Sequence, residues 1–175
     1  MLSRLAILLI PVLLFACGFE ETASAPEGVD QDAVAVSENS APLFDKMSVG
    51  GQQISNTDFL GDPVIVTFWA TTCVPCRREL PMLQQLAKDH AADKLTVLTI
   101  NTGEPDDLIL EFLDEISVDL PVIVDQDGIL ASEFELLFLP MTYFIDGDWK
   151  LRYSTIGEPN EKQIEHGLGL ILPAG

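Results

Sequence analysis

Sulfur, histidine and positive charge are all scarce in this chain. Three cysteines and two histidines occur in 175 residues, and nine Lys and Arg stand against 28 Asp and Glu, a formal net charge of -19. So few cysteines exclude a disulfide-stapled miniature fold, and a chain of this length buries a core without staples. Two close thiols are half of a zinc set, but with no second C-x-x-C and only His90 and His166 as histidines, no metal is expected. The negative charge repels phosphate, which excludes nucleic acid as a partner and favours basic or neutral ones. Long hydrophobic runs are missing too. The longest, "LAILLIPVLLFA" after Arg4, carries Pro11 and is too short to span a bilayer comfortably, so it reads as the apolar region of an export signal.

Scarcity makes the placement of the remaining thiols informative. "FWATTCVPCRRELP", residues 68–81, sets Cys73 and Cys76 two residues apart, directly after "VIVTFWA", a β-branched and aromatic run suited to a buried central strand. Residues 74–91 then place Leu80, Leu83, Leu86 and Ala87 on one helical stripe. Cys73 thus falls at a helix N-terminus, where unpaired amides and the macrodipole favour a thiolate and make it the attacking sulfur. Cys76, a turn further in, is expected to be more buried and able to reach back and break a mixed disulfide. A purely structural bridge closing so small a loop would restrain the unfolded chain little. Haem attachment through C-x-x-C-H fails because Arg77 occupies the histidine position. Redox chemistry is the reading these alternatives leave in front.

Residues 18–41 are acidic, small and poor in large apolar groups, so they read as a flexible tether spanning on the order of 25 to 30 Å. Beyond it, "LFDKMSVGGQQIS" predicts a hairpin around Gly50 and Gly51, and "LTVLTI" a strand. Glu104-Pro105 opens a helix carrying Leu108, Ile109, Phe112, Leu113 and Ile116, with Asp106 and Asp107 in its dipole-favoured first turn. "PVIVD" is a short strand closed by the turn "DQDG", which lacks the further ligands of a calcium loop. A brief helix at 129–135 leads to Leu139-Pro140. "MTYFID" and "WKLRYSTI" then form a hairpin about Gly147-Asp148, and Pro159 starts a last helix that ends before Pro173. Strands alternating with helices predict an α/β fold, a central mixed sheet flanked by helices.

The segment "FWATTCVPCRRELP" resembles the active site of the thioredoxin superfamily, in particular its TlpA/ResA type of membrane-associated thiol-disulfide oxidoreductase. The likeness runs from about residue 42 to the end, with the N-terminal hairpin, "PVIVTFWA", "LPVIVDQDG" and "LPMTYFIDGD" in the family's order. It implies a thioredoxin-like fold in which the helix of 105–116 and the strand of 121–124 are an extra αβ insert. It also assigns roles. Trp69 packs beside the disulfide, Pro75 sits between the cysteines in the first helical turn, and Pro140 is cis and faces the sulfurs, turning the Leu139 backbone toward a client peptide. Glu79, three residues after Cys76 and so on its helix face, takes or returns that thiol's proton. Thioredoxin proper uses a buried aspartate on the preceding strand, where Thr67 stands here. Thr72, Glu135 and Phe138 depart from the family's usual residues, and Phe138 with Leu139 is expected to make the rim of the site apolar. Pro81 should kink the first helix by removing a hydrogen bond to Arg77.

"LLFAC", with Ala16 before Cys17, resembles the lipobox of bacterial lipoproteins, which implies cleavage before Cys17 and a lipid on its sulfur. The expected organisation is a signal peptide over 1–16, a lipidated cysteine and acidic tether over 17–41, and a thioredoxin-like domain over 42–175. The implied protein is an enzyme of the cell envelope, lipid-anchored and facing the periplasm or extracytoplasmic space. It needs no cofactor beyond the Cys73–Cys76 disulfide and reduces client-protein disulfides, with the haem-site cysteines of apocytochrome c as one client class and a membrane thiol carrier as electron donor. Three rivals use the same fold: a net disulfide oxidase or isomerase, a Cu(I)-handling protein, for which the cysteine spacing is too close, and a peroxidase.

Overall fold

The computed structural model describes residues 33–34 and 40–173; the expected signal peptide, Cys17 and most of the acidic stretch lie outside the described residues. The order of elements is β1 (Ala33–Val34), β2 (Asp45–Met47), β3 (Gln53–Ser55), β4 (Val64–Trp69), α1 (Val74–Asp89), β5 (Thr96–Asn101), α2 (Asp106–Glu115), β6 (Val122–Val124), α3 (Ile129–Glu133), β7 (Met141–Ile145), β8 (Leu151–Ile156) and α4 (Glu161–Ile171). Six strands form one sheet in the order β1-β8-β7-β4-β5-β6. β4, β5 and β6 run parallel, whereas β7 is antiparallel to both β4 and β8. β2 and β3 pair as the expected N-terminal hairpin.

β4 is buried along its whole length, as its unbroken run of apolar and β-branched residues predicts. The period of two then sorts its side chains. Val64, Val66 and Phe68 face a layer closed by the hairpin, α3 and Trp149. Ile65 faces the opposite layer with Leu83 of α1 and Ile164 and Leu168 of α4, and Trp69 meets Cys76, Leu80 and the α2 residues Ile109, Phe112 and Leu113. The three longer helices therefore cover one face and α3 with the hairpin the other, and the disulfide end of α1 is wedged between the central strand and the αβ insert.

Of the apolar residues carried by α2, Leu108 is 42 % exposed, because the face turned to the sheet is centred on Ile109, Phe112 and Leu113. One boundary differs from expectation. Backbone pairing starts before residue 42: Ala33–Val34 runs antiparallel to Thr155 and Ser154, Ser40 bridges Lys150, and the Ala41 amide donates to the Trp149 carbonyl at 2.9 Å. The paired Ala33 and Val34 sit in the short run "AVAV" (33–36), too brief among acidic and small residues to read as a strand.

Candidate active site

Cys73 and Cys76 are joined as a disulfide at the start of α1. Cys73 is the N-cap, with extended backbone, and its Sγ accepts the Cys76 amide at 3.3 Å. A cap ordinarily offers an oxygen here; the sulfur takes its place, and the same orphan amides that need a cap will stabilise a negative charge on it. Cys76 is completely buried, while Cys73 is half-buried. The two sulfurs therefore differ in access as the spacing predicted. Pro75 lies in the first helical turn and Pro81 inside the helix.

Glu79 is fully buried, on a helix otherwise charged on its outer side. The Thr142 hydroxyl donates to its Oε1, and Thr67 Oγ1 stands 3.5 Å from the same oxygen and 3.0 Å from Thr142 Oγ1. Thr67 on β4 and Thr142 on β7 are register partners, so the sheet itself places both hydroxyls under α1. Oε2 has no hydrogen-bond partner among the described residues. An ionised carboxylate would leave that buried oxygen uncompensated. Burial accordingly pushes the Glu79 carboxyl up to about 8, against the lowering effect of Thr142 and Thr67 and with a smaller push from the charge of Glu158.

The remaining predicted residues converge on the same end of the sheet. Trp69 is fully buried in the layer that holds Cys76, its ring stacked on Phe112 at 5.2 Å between centroids. The Leu139–Pro140 peptide is cis, Pro140 is buried, and Leu139 is half-buried where the two core layers meet. Val74, Leu137 and Phe138 are 60 % or more exposed, which makes the rim apolar over more of its length than Phe138 and Leu139 alone. Glu135 holds a left-handed φ of 53°. Arg77 forms a two-pronged pair with Glu115 at 2.8 and 3.1 Å and lies over the Phe112 ring, while Arg78 pairs with Glu158, so both charges that follow Cys76 are tied to neighbouring elements.

Sequence reasoning passed over Thr142 and the loop after β5. Asn101 Oδ1 accepts the Gly103 and Glu104 amides at 3.1 and 2.8 Å, and the Glu104 carboxylate reaches across to Thr71. "NTGE" carries a legible turn signal in its Asn and Gly, but nothing local shows that the glutamate ends beside the residues preceding Cys73.

The AhpC/TSA family profile matches residues 38–154. Thiol-disulfide oxidoreductase ResA of Geobacillus thermodenitrificans is 30 % identical over 171 residues, covering 98 % of each chain. Thioredoxin-like protein YneN of Bacillus subtilis is 32 % identical over 133 residues, 74 % of this chain and 77 % of that one. Among solved structures, a secreted thiol-disulfide isomerase from Corynebacterium glutamicum superposes with a TM-score of 0.70 at 25 % identity, covering 85 % of this chain and 93 % of its own. A thioredoxin-family thiol:disulfide interchange protein from Chlorobium tepidum superposes at 0.69, with 23 % identity over 80 % of this chain and all of its own. With a bridged C-x-x-C at the head of a helix, a cis-proline at the same end and a mixed sheet behind them, the chain belongs to the AhpC/TSA family, as a thioredoxin-fold thiol-disulfide oxidoreductase of the ResA kind.

Proposed function

We propose that the chain is an extracytoplasmic protein-disulfide reductase in which Cys73 is the nucleophile, Cys76 the resolving thiol and Glu79 the proton carrier. The observation that carries this reading is the asymmetry of the two sulfurs: one at the helix N-cap and reachable, the other sealed beneath it. In the reduced enzyme the Cys73 thiolate attacks one sulfur of a client disulfide, and the second client sulfur leaves as a thiolate. Cys76 then gives its proton to the Glu79 carboxylate and attacks Cys73 Sγ, releasing the other client thiolate and closing the Cys73–Cys76 bond. Two electrons have passed to the client.

The return half-reaction uses Glu79 in the opposite sense. A donor thiolate attacks Cys73 Sγ, Cys76 departs as a buried thiolate, and the protonated Glu79 supplies the proton that neutralises it. A carboxyl pushed up to about 8 holds that proton at neutral pH in the oxidised state. Leu139, Pro140, Trp69 and Pro75 shape the face on which a client peptide lies, with Val74 and Phe138 as its apolar border.

In this reading residues 1–16 are an export signal, Cys17 carries a lipid, and the acidic stretch between Cys17 and the first residues paired with β8 tethers the catalytic domain to the membrane. Electrons come from a membrane thiol carrier, and apocytochrome c haem-site cysteines are among the clients. A Cys76→Ala variant tests the scheme directly. It should accumulate client proteins on Cys73 as mixed disulfides in envelope extracts, released by dithiothreitol; absence of any adduct while the intact enzyme is active would overturn it. Equilibration with thiol buffers fixes the direction: a disulfide potential near or below about -270 mV marks a reductase, one near about -120 mV an oxidase.

A further inference from the structure

Three hydrogen bonds meet on the carboxylate of Glu104, and two of them come from the residue two places before the nucleophile. The Thr71 amide donates to Oε2 at 2.7 Å and the Thr71 hydroxyl to Oε1 at 2.6 Å. Asn101 Nδ2 donates to Oε2 at 2.7 Å. Asn101 is fully buried at the end of β5, so it is a fixed post. Gly103, at φ 98°, lets the loop turn back over Asp125, where a Cβ would come within 3.2 Å of backbone. The loop is thus built to bring one acidic side chain to a set place.

That place is the turn feeding α1. The Cys73 amide donates to the Ala70 carbonyl at 3.1 Å, closing the turn 70–73 around Thr71. On its strand side the turn is anchored by the Thr102 amide, which donates to the Trp69 carbonyl at 3.1 Å. Thr72 is exposed and Thr71 half-buried. We propose that Glu104 is a positioning residue for the redox reaction: by gripping both the amide and the hydroxyl of Thr71 it holds the turn that aims Cys73 Sγ at the Cys76 amide. This rests on the reading of Cys73 as the nucleophile. Burial on its own would raise the Glu104 carboxyl; the Asn101 and Thr71 bonds outweigh it and hold the group below the ordinary carboxylate range, so the grip persists throughout the neutral pH range.

Geometry and charge can be separated, because glutamine fits the same bonds. Its carbonyl oxygen at the Oε2 position accepts from the Thr71 amide and Asn101, while its NH2 at the Oε1 position donates to Thr71 Oγ1, a hydroxyl able to accept as well as donate. The experiment measures the iodoacetamide alkylation rate of Cys73 between pH 5 and 9 in the reduced Cys76→Ala background, with Glu104→Ala and Glu104→Gln added, and global stability followed by urea unfolding. Glu104→Ala should move the Cys73 titration toward that of a free thiol and slow alkylation at pH 6 by roughly threefold to tenfold. Glu104→Gln should stay within about twofold of the parent. If Glu104→Ala does not fold, Thr71→Ala removes the hydroxyl grip alone and should shift the titration in the same direction by a smaller amount. An unshifted titration in a folded Glu104→Ala, or in Thr71→Ala where that stands in for it, overturns the proposal, as does a Glu104→Gln as impaired as the alanine. Failure of the client-reductase reading has a different signature: Cys73 in the parent would itself titrate as a free thiol and trap no client.

Discussion

Glu79 concentrates the chemistry of the site in one side chain whose two oxygens are treated differently. One is met by threonine hydroxyls from adjacent strands, the other by nothing among the described residues, and the environment therefore selects the neutral acid. This has a thermodynamic sign. Between the ordinary 4.5 and about 8 the folded oxidised chain keeps a proton that the unfolded chain has released, so Glu79 makes stability fall as pH rises through that window and contributes no slope below it. The slope reaches about 1.4 kcal/mol per pH unit. Urea unfolding of the oxidised protein at pH 5, 6.5 and 8 should show this decline, and Glu79→Gln should flatten it; an equal decline in the variant would place the effect elsewhere. The same variant should also slow reduction of the disulfide by dithiothreitol at pH 7 by on the order of a hundredfold, because Cys76 then leaves without an acid.

Elements were legible where one rule decided them. The run of residues 64–69 and the 3.6 period after Cys73 predict β4 and α1 because each buries a continuous apolar surface, and the structure has both. Which apolar residues of α2 turn inward was not legible: Leu108 stands beside the buried stripe, and the packing of α2 against Trp69 chose the neighbouring face. β1 was not legible, since two residues of an acidic, small-residue stretch become strand only by borrowing the edge of β8. The acid Glu79 was placed by resemblance, but its threonine partners and the Glu104 grip depend on register and loop approach, which no local pattern encodes. α4 offers a further check of packing at this scale. A Cβ on Gly167 would lie 2.5 Å from the ring of Phe144, which is itself fully buried. Alanine gains about 1 kcal/mol of helix propensity there, yet overpacking of this kind costs about 1 to 3 kcal/mol, and the rigid ring sets the upper part of that range. Gly167→Ala should therefore lower the urea midpoint, whereas alanine at Gly169, where nothing lies within 4 Å, should raise it.

At the scale of the whole molecule, an apolar rim around the sulfurs belongs to a chain of formal net charge -19. In the proposed function the rim grips a client at short range, but the field acts first and over a longer distance. Reduction of a disulfide peptide carrying several lysines should be faster than that of its glutamate counterpart, with the gap closing between about 0.01 M and 1 M salt as the screening length falls from about 30 Å to 3 Å. Stopped-flow kinetics across that range checks this, and a gap insensitive to salt would mean that selection arises in close contact alone.

The sheet is also partly covered along both sides. Ser48 bridges Ile123 and the Val49 amide donates to the Val122 carbonyl at 2.9 Å, drawing the hairpin across β6, while Ala33–Val34 and Ser40 line β8. Edge groups occupied in this way leave a neighbour less ladder to extend, which works against copies zipping into stacks. A stretched polypeptide drifting over the surface meets the same partly occupied flanks, which fits the proposed docking at the sulfur-bearing pole.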